Sequence, residues 1–512
     1  MFYADDVVFV GQWCASNITT LIHVLDCFHK AYGLRINNVD SERVNRAAMK
    51  LGCLVLKTPF TYLGSIVGGN MSRKQSWIET VDKIKKRLSK WKMNTLSIGG
   101  RLTLTKSVLG STPLYHFSLF KVPMGVLNNI ESLRSQFFNG HGLNSKKATW
   151  VNWKKALASK DRGGLGISSL YAMNRGLLLK WVWRFVTQKN TLWTRVIQAL
   201  HGVNGRIGVA SRGGYNSCWT AIIQETNSLL TKGIDVMNHI RIKLGNGDKT
   251  MFWEDKWCAG GTLKDKFNRL YALESCKHVT VGTKFSQPLL SSSFRRTPRG
   301  GIEMDQFVKM VDDVKEVILS TSEDRWVWDL ENTGEFSVSS IRNLIDEKTL
   351  PLTDYKTRWN KLVPIKVNIL SWKIMTNSLP TRFNISCRGI CIDSILCANC
   401  DKGVETSSHL FFSCSLARMV VNLILRWWSI PVVELDSYDD WTLWFDNVRL
   451  PLKNKKMLEG VFYVTWWILW SFRTRTIFDA KVPKKALLFD DILSKSFYWC
   501  RYKSKTSFGW ND

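Results

Sequence analysis

The stretch Cys397–Cys414 reads CANCDKGVETSSHLFFSC, and its spacing decides how the C-terminal half of the chain is read. Cys397 and Cys400 fall on one tight turn. His409 and Cys414 follow on the next element, giving Cys-x2-Cys-x8-His-x4-Cys. Two thiolates on a turn and a His/Cys pair beyond it can close a tetrahedral Zn²⁺ shell. Four protein ligands leave no open position, so such a zinc would be structural rather than catalytic. It would hold together a segment with little room for a core of its own. The bland alternative is four unrelated reduced residues. Cys387 and Cys391 lie just upstream as alternative ligands or, more simply, ordinary small residues.

Around this cluster stand Lys361, Lys366, Trp372, Lys373, Arg382 and Arg388, cations and an aromatic of the kind that small zinc modules use on single-stranded RNA. Trp359 and Trp372 read more simply as core. The whole chain carries the same bias. Its 512 residues hold 72 Lys+Arg against 42 Asp+Glu, a net charge of +30. That surplus points to a polyanionic partner, most simply nucleic acid. A hydrophobic fraction of 45% excludes a disordered tail protein, and the length predicts several domains.

The start, MFYADDVVFV, places two aspartates where a signal peptide needs a basic region. The longest apolar run, Val461–Phe472, is shorter than the ~20 residues that span a bilayer, so it reads as a buried core element. The 12 Cys are scattered rather than set in a secreted framework, which fits an intracellular chain, the nucleus included.

Between residues 76 and 92, Trp77, Ile78, Val81, Ile84, Leu88 and Trp91 recur at helical spacing. The opposite face holds Lys83, Lys85, Lys86, Arg87, Lys90 and Lys92, with Asp82 the nearest acid. A charge run is usually a solvated face, but the scarcity of interleaved acids favours phosphate contact here. A second helical stretch follows Gly99-Gly100 and is kinked or ended by Pro113. Residues 125–200 continue mainly helical, interrupted by Asp161–Gly166. Residues 203–216 and 286–301 read as loose, glycine- and serine-rich linkers. Trp253/Trp257 and Trp326/Trp328 mark compact units between them. Trp181, Trp183, Trp466, Trp467 and Trp470 read, like Trp253, as packing anchors.

Tyr3-Ala4-Asp5-Asp6 lies at a turn between apolar strands. Adjacent carboxylates at a hairpin tip suit hard Mg²⁺, which two-metal nucleotidyl transfer needs as a pair of ions. An ordinary Asp-Asp turn is the competing reading. FYADDVVFVG resembles the active-site box of reverse transcriptases of plant non-LTR (LINE-type) retrotransposons. The blocks GLRINNVDSE, FTYLGSIVGG, the 77–123 stretch and DRGGLGISSLYAMNRGLLLKWVWRF resemble, in the same order, the segments that follow that box. ETSSHLFFSC and the preceding TRWNKLVPIKVNILSWKIMTNSLPTRFNI resemble the zinc-binding domain of these enzymes.

The resemblance implies an α+β multidomain chain: a partial polymerase palm, a helical thumb, small connecting units and a C-terminal zinc-binding module. The expected boundaries are 1–70 for the palm remnant, 71–202 for the thumb-like region and 203–335 for the connecting region. The zinc-binding domain is expected at 336–426, and an aromatic, basic C-terminal region at 427–512. It implies RNA and DNA as partners, no membrane, no small-molecule cofactor, a structural Zn²⁺ on Cys397, Cys400, His409 and Cys414, and Mg²⁺ on catalytic Asp5 and Asp6 if the site is complete. The family's further catalytic Asp would lie on a palm strand upstream of Met1, as would the fingers. The expectation is therefore a polymerase fragment inactive by itself, with neither the family's endonuclease nor an appended RNase H. The alternatives are a non-catalytic zinc-dependent RNA/DNA-binding protein derived from a retroelement, and a decayed gene product.

Overall fold

The computed structural model describes residues 69–90, 95–142, 149–207, 217–258, 261–353 and 355–503, together with residue 49 and the backbone of six short strands before residue 69. Two compact units divide at Val81/Asp82, inside the helix Ile78–Lys90.

In the first unit the strands Phe2–Tyr3 and Asp6–Val7 pair antiparallel, with Tyr3 opposite Asp6. This is the hairpin expected at the Tyr-Ala-Asp-Asp box. Its two-residue loop, which contains Asp5, lies outside the described residues. Arg35–Asn37 pairs parallel with Leu54–Leu56, and Phe60–Tyr62 antiparallel with Ser65–Val67. Trp77 is buried, and its indole N–H donates to the Met71 carbonyl at 2.8 Å.

The second unit is mostly helical, which makes the chain mixed α+β. The helix Ile98–Leu104 starts at Ser97, whose hydroxyl accepts from the Gly100 N–H. Pro113, lacking an N–H, stands at the start of the next helix, Leu114–Leu119. The helix Leu170–Thr187 is capped by Ser169 and packs against Leu114–Leu119, Cys218–Leu230 and Val338–Thr349. Trp183, Trp219 and Trp328 fill that core. The antiparallel pair of strands Ile240–Lys243 and Arg325–Trp328, distant in sequence, brings Ile240 and Trp328 into the same core.

Residues 286–301 are not a linker. Phe294 is buried with Phe252, Trp253 and Met310 in a small core of their own. Buried Lys284 is held there by Glu274 and Ser293, beneath three aromatic rings. The helix Ile302–Val314 carries Glu303, which binds Arg296 through both carboxylate oxygens. Of the other expected linker, residues 208–216 lie outside the described residues. Just before them, the Gly205 carbonyl accepts from the Trp219 indole at 2.8 Å.

The C-terminal core runs unbroken from Val363 to Ile492. Its centre is the helix Leu452–Phe478, which contains the Val461–Phe472 run and buries most of it. No helix among the described residues is long and apolar enough to cross a membrane. Residues 427–503 therefore supply the wall against which residues 363–425 fold. A second contact ties the helix Ile365–Met375 to the earlier part of the unit. Trp372 is buried with Leu102, Phe138 and Ile167, and its indole donates to the Gly163 carbonyl at 2.8 Å. The turn that receives it, Lys160–Gly166, is the stretch where the sequence breaks helical periodicity.

Candidate metal centre

The chain reverses on itself between Leu396 and Val404, which form an antiparallel bridge. Inside the turn the Cys397 N–H donates to the Gly403 carbonyl at 3.0 Å, and the Asp401 N–H to the Cys397 carbonyl at 2.8 Å. Asp401 and Gly403 adopt left-handed φ of 55° and 72°. Gly403 is required twice over: a Cβ there would be strained by φ and would sit 3.2 Å from the His409 ring. The turn aims both thiols inward.

His409 opens the next element, the turn His409–Ser413, and the Thr406 hydroxyl accepts its N–H at 3.0 Å. Cys414 then occupies the N-cap of the helix Ser415–Trp427. There the backbone N–H groups of Leu416 and Ala417 reach its sulfur. A helix N-terminus favours a thiolate.

The four ligand atoms lie within 4.8 Å of one another. Cys397 Sγ and Cys414 Sγ are 4.0 Å apart, and Cys400 Sγ is 3.3 Å from His409 Nε2. A tetrahedral zinc with Zn–S near 2.3 Å and Zn–N near 2.0 Å needs ligand separations of about 3.5–3.8 Å. The donor set and the spacing fit that ion. Among the described residues this is the one such gathering of His, Cys, Asp or Glu.

The Cys397 thiol faces the Cys414 sulfur as a hydrogen-bond donor. The hydrogen bond from Cys397 to Cys414 raises the first and lowers the second, and burial opposes ionisation of both. Burial also lowers the His409 pKa, which keeps the imidazole neutral, the form that binds metal. Cys387 and Cys391 are exposed and stand outside the cluster, as ordinary surface residues.

One residue that spacing does not reveal fixes the site to the core. Glu405 is fully buried between the two ligand pairs. Its Oε1 accepts from Arg473 Nη2 at 2.6 Å, Arg473 Nε at 3.2 Å and the Arg382 N–H at 2.9 Å. Its Oε2 accepts from the Ala398 N–H, between the first two cysteines, at 3.3 Å. Arg473 belongs to the long helix Leu452–Phe478, so one carboxylate joins the metal turn to the centre of the core. No local signal marks it, since Glu405 sits among Lys402, Gly403, Thr406, Ser407 and Ser408 and reads as a surface acid.

The family described as zinc-binding in reverse transcriptase matches residues 336–420. The chain belongs to the plant retroelement-derived proteins that carry this domain. It is 27% identical over 359 residues to a putative ribonuclease H protein of Arabidopsis thaliana, covering 67% of this chain and 54% of that protein. It is 31% identical over 149 residues to an uncharacterized mitochondrial protein of the same plant, covering 28% of this chain and 91% of that protein. The chain thus spans about half the length of the first relative.

Among the described residues of this retroelement-derived protein, none of the other expected site residues belongs to the ligand cluster. Asp5 lies outside the described residues, and Asp6 is described by its backbone pairing with Tyr3. Lys83, Lys85, Lys86 and Arg87 are exposed on one side of the helix Ile78–Lys90, while Ile84 and Leu88 are buried on the other. Lys85 pairs with Asp82 at 3.1 Å, and Arg87 donates to Thr112 at 2.9 Å. The Lys90 side chain and Lys92 lie outside the described residues.

Near the zinc-binding domain, Trp372 is core, as expected, and Arg382 is engaged with the Leu396 carbonyl at 2.7 Å. Arg388 stacks on Trp150 at 3.9 Å, and Lys366 lies 5.0 Å over Trp467. Lys373 is pushed down to about 8 by burial and by Arg101.

Proposed function

We propose that this chain is the C-terminal part of a non-LTR (LINE-type) retrotransposon reverse transcriptase, and that residues 82–503 hold nucleic acid rather than perform its chemistry. The observation that carries this reading is the Cys397/Cys400/His409/Cys414 cluster inside a matched reverse transcriptase zinc-binding domain. Zinc on those four ligands would lock the turn at Cys397 to the helix that begins at Cys414, with no open position for a reacting group. The chain's own residues would do the rest. Glu405 and Arg473 fix the turn to the core, and the exposed face of Lys83, Lys85, Lys86 and Arg87 would lie along a phosphate backbone. RNA and DNA are the partners that a surplus of 30 positive charges favours. Asp5 and Asp6 would be the Mg²⁺ ligands of the polymerase box. A non-catalytic zinc-dependent RNA/DNA-binding protein derived from a retroelement would use the same binding residues; both readings expect no primer extension by this chain alone, and template-directed synthesis lost in Asp5→Asn would overturn that expectation.

The test is binding of a labelled RNA–DNA hybrid to the full chain across a salt series. Substituting Lys83, Lys85 and Lys86 by Gln should lower the slope of log K against log salt by about 0.9 for each phosphate no longer neutralised. Wild-type protein that fails to bind at low salt would overturn the reading. An unchanged slope in the variant would remove this helix from the interface.

A further inference from the structure

Away from the metal centre and the helix Ile78–Lys90, three lysines from three separate parts of the sequence converge. Lys160 opens the turn Lys160–Gly166, and its ammonium sits 3.8 Å over the ring of Trp359. Lys106 comes from the stretch Thr105–Leu109 and donates to the Leu165 carbonyl of the same turn at 2.7 Å. Lys361 is exposed two residues beyond Trp359.

Their convergence is built, not incidental. The Thr357 N–H donates to the Lys160 carbonyl at 2.7 Å, the Thr357 hydroxyl to the Gly164 carbonyl at 2.7 Å, and the Trp372 indole to the Gly163 carbonyl. The turn cannot relax away from these partners. A Cβ on Gly163 would lie 1.8 Å from the Thr353 hydroxyl, and one on Gly164 2.0 Å from the Ala158 carbonyl oxygen.

Like charges brought together in this way are ordinarily balanced by a carboxylate. The acid of this turn, Asp161, is instead 85% exposed and approaches Lys356 at 4.0 Å. Among the described residues, the charges that shift Lys106 and Lys160 are cationic. Burial and then Lys160 push Lys106 down to about 8, while burial and then Lys361 lower Lys160. Lys106, held on the Leu165 carbonyl, and Lys160, held over Trp359, repel each other, as do Lys160 and Lys361, and an anion bridging these ammonium groups would relieve that repulsion. Trp359 is half-buried against the core that holds Trp372, as the sequence led us to expect, and its ring fixes the Lys160 ammonium at this point.

We propose that Lys106, Lys160 and Lys361, arranged around Trp359, form a second phosphate-contact site for a nucleic-acid strand, distinct from the helix Ile78–Lys90. This rests on the nucleic-acid reading above and adds to it the place where the strand is held. The site spans the 95–170 region and the 355–375 segment. A bound strand would therefore reinforce the contact that the Trp372 indole makes with Gly163.

The experiment uses the full zinc-loaded chain and a fluorescein-labelled RNA–DNA hybrid of about two helical turns, read by anisotropy from about 50 to 200 mM KCl. Three proteins are compared: wild type, K106Q/K160Q/K361Q, and K83Q/K85Q/K86Q. The expected result is a slope lowered by about 2.7 in the K106Q/K160Q/K361Q protein, or about 0.9 per lysine, with an unchanged circular dichroism spectrum. A wild-type slope in that protein, while K83Q/K85Q/K86Q has a reduced slope, overturns this site and leaves the nucleic-acid reading standing. No binding by wild type overturns both. Should the triple variant misfold, K361Q, at an exposed position, is expected to lower the slope by about 0.9. No change there overturns the assignment. Equal competition by heparin and by unlabelled hybrid, matched in charge, would reduce the site to a general polyanion patch and likewise overturn it.

Discussion

Replacing Glu405 by Gln should loosen the metal centre without touching a ligand. Glu405 and Arg473 are both at most 5% exposed, and the carboxylate accepts two guanidinium bonds and two backbone N–H bonds. Removing one partner of a buried pair leaves the other charge uncompensated, which costs about 3–5 kcal/mol. Gln keeps the shape, so little of that cost is cavity. For the unit 82–512, at about 2.1 cal/mol/K per residue, the change corresponds to a melting shift of roughly 3–6 °C. Because Ala398 and Arg382 are anchored by the same carboxylate, the turn bearing Cys397 and Cys400 should detach more readily. Zinc transfer to a chromogenic chelator should then accelerate, by up to about 100-fold if about 3 kcal/mol of that anchoring is removed. The double variant E405Q/R473M should recover part of the stability, since it removes both charges. Melting and zinc release within about 1 kcal/mol of wild type for E405Q would refute the claim that this carboxylate ties the site to the core.

Three further outcomes follow from the same structure. Gly164→Ala places a methyl 2.0 Å from a backbone oxygen that cannot swing aside, so thermal unfolding should show a destabilisation of about 2 kcal/mol or more. Asp346 accepts from the Ser169 hydroxyl, and burial raises its pKa to about 6, above the unfolded value near 3.9. That contribution to stability is full below pH ~4 and is lost as pH rises through about 6. Urea midpoints should fall by the equivalent of about 2 kcal/mol over that window, and D346N should flatten the fall. In zinc-loaded protein a thiol reagent should modify exposed Cys387 and Cys391 rapidly, while buried Cys397 and Cys414 react after chelator is added. Mass spectrometry of the labelled peptides reads this directly.

What the sequence shows of this protein depends on how far apart the interacting residues lie. The Cys/His spacing is local, so the ligand set can be read directly, and the structure gathers the same four atoms. The basic face at 83–87 follows from helical periodicity, which is also local. Glu405 and Arg473 are 68 residues apart, and no pattern in either neighbourhood pairs them. Residues 286–301 read as a linker because Ser, Arg, Pro and Gly mark turns whether or not those turns are packed. Here Phe294 and the buried Lys284–Ser293 bond pack them. The role of residues 427–503 is hidden for the opposite reason. The helix Leu452–Phe478 is apolar on nearly every side, which marks burial but not the partner it is buried against.

The four side chains Cys397, Cys400, His409 and Cys414 have the donors and spacing to hold a structural zinc in this retroelement-derived protein. Elemental analysis of the purified full chain tests it most directly. The expected result is about one zinc per chain that survives dialysis and falls to near zero in Cys414→Ser. A wild-type chain free of zinc, with an unchanged fold in the presence of chelator, would contradict it.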